Sequence, residues 1–141
     1  MNQPMFVNPD AADEFRYVVH FQNDGNNNAT NVVITDTISP NLDLSTFRLV
    51  GAKHGISTFV NTTTRVVTFT FNNINLAQSA ADLDGSRGYV VYSISEMPNL
   101  PIGTEIENTA YIYFDFNPAI VTNTTYNINQ TMLGLTNNSM E

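Results

Sequence analysis

Cysteine and tryptophan are both absent from this 141-residue chain, and lysine occurs once, at Lys53. Without cysteine there is no disulfide, no thiolate nucleophile and no sulfur ligand for a metal, although this alone does not assign a compartment. Without tryptophan the chain lacks the largest aromatic stacking platform. Five Lys and Arg stand against thirteen Asp and Glu, for a net charge of -8. So acidic a chain lacks the basic footprint that replaces phosphate counterions, which excludes a nucleic-acid partner and disfavours anionic membranes. No apolar run approaches the roughly 20 residues that span a bilayer. The opening M-N-Q-P-M-F-V-N-P-D has neither the basic nor the apolar part of a signal peptide, as expected of a domain taken from within a longer protein. Also missing are a G-x-S-x-G nucleophile context, a glycine-rich phosphate loop and an H-x-x-x-H pair, His20 and His54 lying on separate elements.

What the chain does have is β character. Hydrophobic residues make up 42%, with nine Phe and six Tyr, enough for one core in a single domain. Asn (20) and Thr (17) are in large excess, Thr suiting strand surfaces and Asn suiting tight turns. The stretch Glu105 to Ile128 reads as two strands joined at Asn117-Pro118. Ala110, Ile112, Phe114 and Phe116 alternate onto one face and Tyr111, Tyr113 and Asp115 onto the other. Proline has no N–H for a ladder and forces a turn there, so the two arms pair as a hairpin.

Residues 1–12, broken by Pro4 and Pro9, read as a linker, and the domain runs over 13–131. Phe15, Tyr17, Val19 and Phe21 alternate as the inner face of a first strand. N-D-G-N-N-N then predicts a hairpin loop into a return strand over Thr30 to Ile38. Asp36 falls on the buried side of that strand, and backbone N–H groups of the following S-P-N-L-D-L turn are its expected partners. Phe47 to Val50, Ser57 to Asn61, Arg65 to Phe71 and Tyr89 to Met97 read as further strands, with Val67, Phe69 and Phe71 inside. Residues 72–86 are irregular, with room for one helical turn within 75–81. Residues 132–141 have no pattern and are expected to fray. About eight or nine short strands without helices make an all-β, antiparallel sandwich.

Two segments carry a family resemblance: Y-V-V-H-F-Q-N-D-G-N-N-N-A-T-N-V-V-I-T-D-T-I-S-P-N-L-D and G-T-E-I-E-N-T-A-Y-I-Y-F-D-F-N-P. Over Glu14 to Ile128 the chain resembles the conserved-repeat immunoglobulin-like domain of bacterial surface proteins. It is most similar to the version found near the C-terminus of large secreted Bacteroidetes-type proteins, commonly just before a type IX secretion sorting domain. The resemblance implies a non-catalytic spacer, stalk or adhesin module that is secreted or displayed on the cell surface, with adjacent domains of its parent protein as partners. As an isolated domain it is expected to be a monomer without a cofactor.

Three sets of residues are candidates for more than structure. Tyr111, Tyr113 and Asp115 on one face could stack and hydrogen-bond a glycan, the carbohydrate-binding alternative to a plain spacer. Asp24, Asn26 and Asn28 occupy positions 1, 3 and 5 of the pattern by which an EF-hand loop offers oxygens to calcium. Ala29 stands where that loop needs Gly, and strands replace its helices. Asp82 and Asp84 beside Gly85 form a second oxygen cluster for calcium. Some surface immunoglobulin-like domains join a Lys to an Asn, but Lys53 lies in G-A-K-H-G, which reads as a turn away from the core.

Overall fold

A computed structural model describes residues 5–7, 14–129 and 136–140. Among these there is no helix, and twelve strands follow in order: β1 (Met5–Val7), β2 (Glu14–Gln22), β3 (Val32–Thr37), β4 (Leu42–Lys53), β5 (Ser57–Asn61), β6 (Val66–Phe71), β7 (Arg87–Glu96), β8 (Glu105–Asn108), β9 (Ala110–Phe114), β10 (Ile120–Val121), β11 (Thr125–Asn129) and β12 (Thr136–Met140). One layer has the order β12-β2-β7-β4 and the other β10-β9-β3-β6-β5, with a small third sheet of order β1-β11-β8. All strand pairs are antiparallel except β1 with β11 and β12 with β2.

The period-two faces close on each other. Phe15, Tyr17, Val19 and Phe21 of β2 are buried, as are Val67, Phe69 and Phe71 of β6. Aromatic rings stitch the layers together: Phe21 meets Phe71 edge-on at 5.1 Å, and Phe69 meets Tyr92 at 5.6 Å. Such ring pairs add roughly 0.5–1.5 kcal/mol beyond the area they bury. Gly88, opposite Phe21 in the β2–β7 ladder, is required by this packing, because a Cβ there would lie 2.2 Å from the Phe21 ring.

The chain departs from its sequence pattern where it changes sheet. N-D-G-N-N-N does not close a hairpin: β2 pairs with β7, whereas β3 pairs with β6 and β9 in the other layer. The loop is an inter-sheet crossover held by Asn23, which is buried. Its side-chain amide donates to the carbonyls of Asn27 (2.9 Å) and Leu76 (3.0 Å), and its Oδ1 accepts the Gly25 N–H (3.0 Å). The stretch that reads as one strand over Glu105 to Phe116 is likewise divided at Thr109. β8 pairs with β11, and β9 pairs with β3 and β10. Both arms of the expected hairpin do pair, but in two different sheets.

Phe116 is fully exposed and does not continue the inner face of Ala110, Ile112 and Phe114. The strand stops at Phe114 because Asp115 takes a left-handed φ of 51°, and the Asn117 N–H closes a turn onto the Phe114 carbonyl at 3.0 Å. The tail, expected to fray from 132, instead supplies β12: Met140 is wholly buried, and the parallel pairing covers the lower edge of β2. Residues 132–135 and 141 lie outside the described residues. From the expected linker 1–12, Met5–Val7 form β1 against β11, while 1–4 and 8–12 lie outside the described residues.

With this packing, Phe114→Ala costs about 3–5 kcal/mol, as loss of a buried ring does. Tyr113→Ala costs clearly less and Phe116→Ala almost nothing. Urea unfolding of the three variants checks the order, and a Phe116→Ala loss equal to that of Phe114→Ala would refute the placement of the turn.

Candidate functional site

The sandwich offers three places where polar or aromatic groups gather: the outer face of the five-stranded sheet, the loops at its upper end, and a buried cluster in its centre. On the outer face, register aligns Val121, Tyr111, Thr35, Thr68 and Phe59 in one row across β10, β9, β3, β6 and β5. Tyr111 is 41% exposed, Phe59 is 64% exposed and Tyr113 is half-buried on the same side. Every outward residue of these strands is uncharged. The tyrosines therefore face outward, and among the described residues no second sheet lies over them. Asp115 does not extend their row: its Oδ1 and Oδ2 accept the N–H groups of Asn31 (2.8 Å) and Thr30 (3.1 Å), tying the β9–β10 turn to the start of β3.

At the upper end, the 23–28 loop lies against the 79–86 loop through Asn23 N–H to Ser86 O (2.9 Å) and Ser79 N–H to Asn23 O (2.8 Å). Asp24, Asn26 and Asn28 are exposed there. Asp82 accepts the Gly85 N–H at 3.0 Å, and Asp84 receives the Lys53 ammonium at 3.5 Å from its carboxylate and 2.9 Å from its carbonyl. Among the described residues no three His, Asp or Glu side chains converge as metal ligands. His54, at a φ of 86°, has its Nε2 2.9 Å from the Arg87 carbonyl.

The buried cluster was hidden in the sequence. Asp36 is completely buried and accepts a hydrogen bond from the Tyr92 hydroxyl, which in turn accepts one from the Asn108 amide at 2.7 Å. The partners expected for Asp36, backbone N–H groups of the next turn, are not used. That turn is served by Arg65, whose guanidinium donates to the carbonyls of Ile38 (3.1 Å), Ser39 (2.8 Å) and Leu42 (2.6 Å). Tyr17 stacks on Tyr92 at 5.3 Å and 27°. Asp36 Oδ1, Asn108 Oδ1 and the Tyr17 hydroxyl have no hydrogen-bond partner among the described residues. Burial pushes the Asp36 carboxyl up to about 6, only partly offset by Tyr92 and Asn108, and drives both tyrosines well above their ordinary value. The cluster has no opening to a substrate, and the single lysine sits with Asp84 at the surface instead of beside Asn108.

Other residues that the sequence did not single out act as staples. Asn108, Asn127, Asn129 and Asn138 are buried, Asn127 donating to Asn138 (3.1 Å) and Asn129 to the Leu100 carbonyl (3.2 Å). The asparagine excess thus serves the interior as well as turns such as those at Asn73, Asn75 and Asn99, all at positive φ. The only hint was the number of asparagines inside strand patterns.

The fold is an immunoglobulin-like sandwich, similar to that of a bacterial adhesin domain. The chain belongs to the family DUF7619, described as a domain of unknown function, which matches residues 3–128. Similar solved structures include the N-terminal domain of the Streptococcus gordonii adhesin Sgo0707, with a TM-score of 0.60 at 11% identity over 90% of this chain and 31% of that one. Others are BcpA, the major pilin subunit of Bacillus cereus (0.48, 17%, 85% and 40%), and domains D2 and D3 of the major pilin SpaD from Corynebacterium diphtheriae (0.48, 18%, 77% and 42%). The chain spans about a third of the length of the Sgo0707 structure and less than half of either pilin. Comparison with curated protein sequences gives no match.

Asp36 makes a pH test specific. Its folded-state value lies above its ordinary 3.8, so its stabilising share is fully present below about pH 4 and is lost as pH rises through about 6. Asp36→Asn therefore gains stability over the native chain at pH 7.5, by up to about 3 kcal/mol, since each tenfold change in proton affinity corresponds to about 1.4 kcal/mol. The gap narrows as pH falls through 6 and closes only below about pH 4. Calorimetric melting of both proteins across this range checks it. A pH-independent gap would show that Asp36 does not titrate as its burial demands.

Proposed function

We propose that this chain is a non-catalytic structural module of a larger secreted or cell-surface bacterial protein, serving as spacer, stalk or adhesin unit between neighbouring domains. One observation carries the reading: among the described residues the one dense group of perturbed side chains, Asp36 with Tyr92, Tyr17 and Asn108, is sealed inside the core and works as structure. The sandwich is similar to a domain of a streptococcal adhesin, which supports a surface setting. The two sequence segments that resemble conserved-repeat domains support a Bacteroidetes-type, type IX-secreted parent. Among the described residues no helix is long and apolar enough to cross a membrane.

The uncharged outer face with exposed Tyr111 and half-buried Tyr113 favours a second reading, a weak glycan platform on the same module. For the spacer reading, a glycan array and a hydrolase panel return no glycan bound more tightly than about millimolar, roughly 4 kcal/mol, and no turnover. A reproducible micromolar hit lost in Tyr111→Ala or Tyr113→Ala, with the fold retained, replaces the spacer with the glycan reading.

Calcium at Asp24, Asn26 and Asn28 or at Asp82 and Asp84 is a separate question for the same module. On the spacer reading, EDTA leaves the melting midpoint within about a degree. A fall of more than a few degrees assigns a structural cation to these loops, because a ligand bound only to the folded state stabilises it by mass action.

A further inference from the structure

Of the ten large hydrophobic side chains exposed among the described residues, Phe59, Tyr111 and Val121 stand in one row of the uncharged sheet face. Across β10, β9, β3, β6 and β5 that row reads Val121, Tyr111, Thr35, Thr68 and Phe59. Thr35 lies on the middle strand, so an axis along β3 exchanges the two ends of the row. A second copy turned about that axis and laid face to face sets Phe59 against Val121, Tyr111 against Thr68 and Thr35 against Thr35. Each large ring then meets a smaller side chain. A two-fold contact requires such self-complementarity, because the same patch serves both sides.

Charge selects the same partner. The chain carries a net charge of -8, with Asp24, Asp82 and Asp84 exposed on the upper loops and Glu105 and Glu107 exposed on β8. Two copies repel each other across such surfaces, whereas the outward residues of the five-stranded sheet are uncharged. A charged partner gains nothing from this face, and an equally acidic copy loses least there. We propose that the outer face of the five-stranded sheet is a self-association surface, on which a second copy of this chain packs face to face about a two-fold axis along β3. Area sets the strength of the contact. Five strands about 4.8 Å apart make a face roughly 19 Å wide and about 17 Å long, well short of the roughly 800 Å² per partner in a stable complex. The dimer is therefore weak, with a dissociation constant of about 0.1–1 mM, and the chain is a monomer in dilute solution. It forms where copies crowd side by side, as on a surface that holds effective concentrations near millimolar. That setting rests on the surface-module reading, to which the inference adds a partner; the contact itself is a property of the isolated chain.

Sedimentation equilibrium of the full chain from about 10 µM to about 2 mM, a range that brackets the expected constant, tests this together with amide shift mapping. The expected result is a monomer at the low end and a growing dimer at the high end, with shifts centred on Tyr111, Thr35, Thr68 and Phe59. Added salt strengthens the association, because it screens the repulsion between two acidic copies. Phe59→Lys and Val121→Glu each weaken it at least tenfold. An equimolar mixture of these two variants recovers it, since the axis sets position 59 of one copy against position 121 of the other. Both substitutions fall on exposed side chains, and Leu83→Ser on the upper loop leaves association unchanged. A chain that stays monomeric throughout, association that survives Phe59→Lys, or a mixture no stronger than either variant alone overturns the proposal. So does a glycan held at Tyr111 by a chain that stays monomeric at the highest concentration, which gives the face to a sugar. The glycan array and hydrolase panel are read on dilute protein, so the spacer reading and the self-association fail separately.

Discussion

Tyr92 has to satisfy two demands at once, and the rest of the sandwich is arranged to let it. Its ring lies in the aromatic seam between the layers, against Tyr17, Phe47 and Phe69. Its hydroxyl cannot be left unpartnered in that interior, where an unsatisfied polar group costs roughly 1–3 kcal/mol. Asp36 from β3 and Asn108 from β8 supply the partners, so one hydroxyl joins three strands belonging to three sheets. The break at Thr109 follows the same geometry: Asn108 can reach Tyr92 from the small sheet, while Ala110 onward stays in the five-stranded layer.

A chain with no disulfide needs other means of holding its crossovers, and here amides and one guanidinium do it. Asn23 ties the first inter-sheet loop to Leu76, Asn129 ties β11 to the 100–101 turn, and Arg65 gathers three carbonyls at the lower end. Each links segments far apart in sequence. Such bonds constrain topology more than they add net energy, since each exchanges water for protein partners. Loops tied this way hold the upper end, where Asp24, Asp82 and Asp84 lie.

The two outer faces differ in chemistry. The five-stranded sheet shows Thr, Val, Tyr and Phe without a charge, whereas strands of the four-stranded sheet carry Arg16, Arg48, Lys53 and Arg87. Arg48 pairs with Glu14 at 3.3 Å and Lys53 with Asp84, both solvent-screened contacts worth little stability. The two faces therefore differ: one sheet is neutral, and the other carries cations, two of them paired with Glu14 and Asp84, in a chain that is strongly acidic as a whole.

The sequence by itself determined the all-β class, the inner faces of β2 and β6, and the outward tyrosines of β9. Each rests on period-two alternation, a property of neighbours along the chain. Tertiary structure alone decided which strands pair. N-D-G-N-N-N reads locally as a hairpin, yet Asn23 finds Leu76, fifty-three residues away, and the chain crosses to the other sheet. Phe116 continues the apolar alternation on paper, but Asp115 caps Thr30 and Asn31 and turns the backbone before it. The partner of Asp36 and the burial of Met140 also depend on strands that meet only after folding. Local pattern fixes which way a side chain points, and only long-range packing selects what it meets.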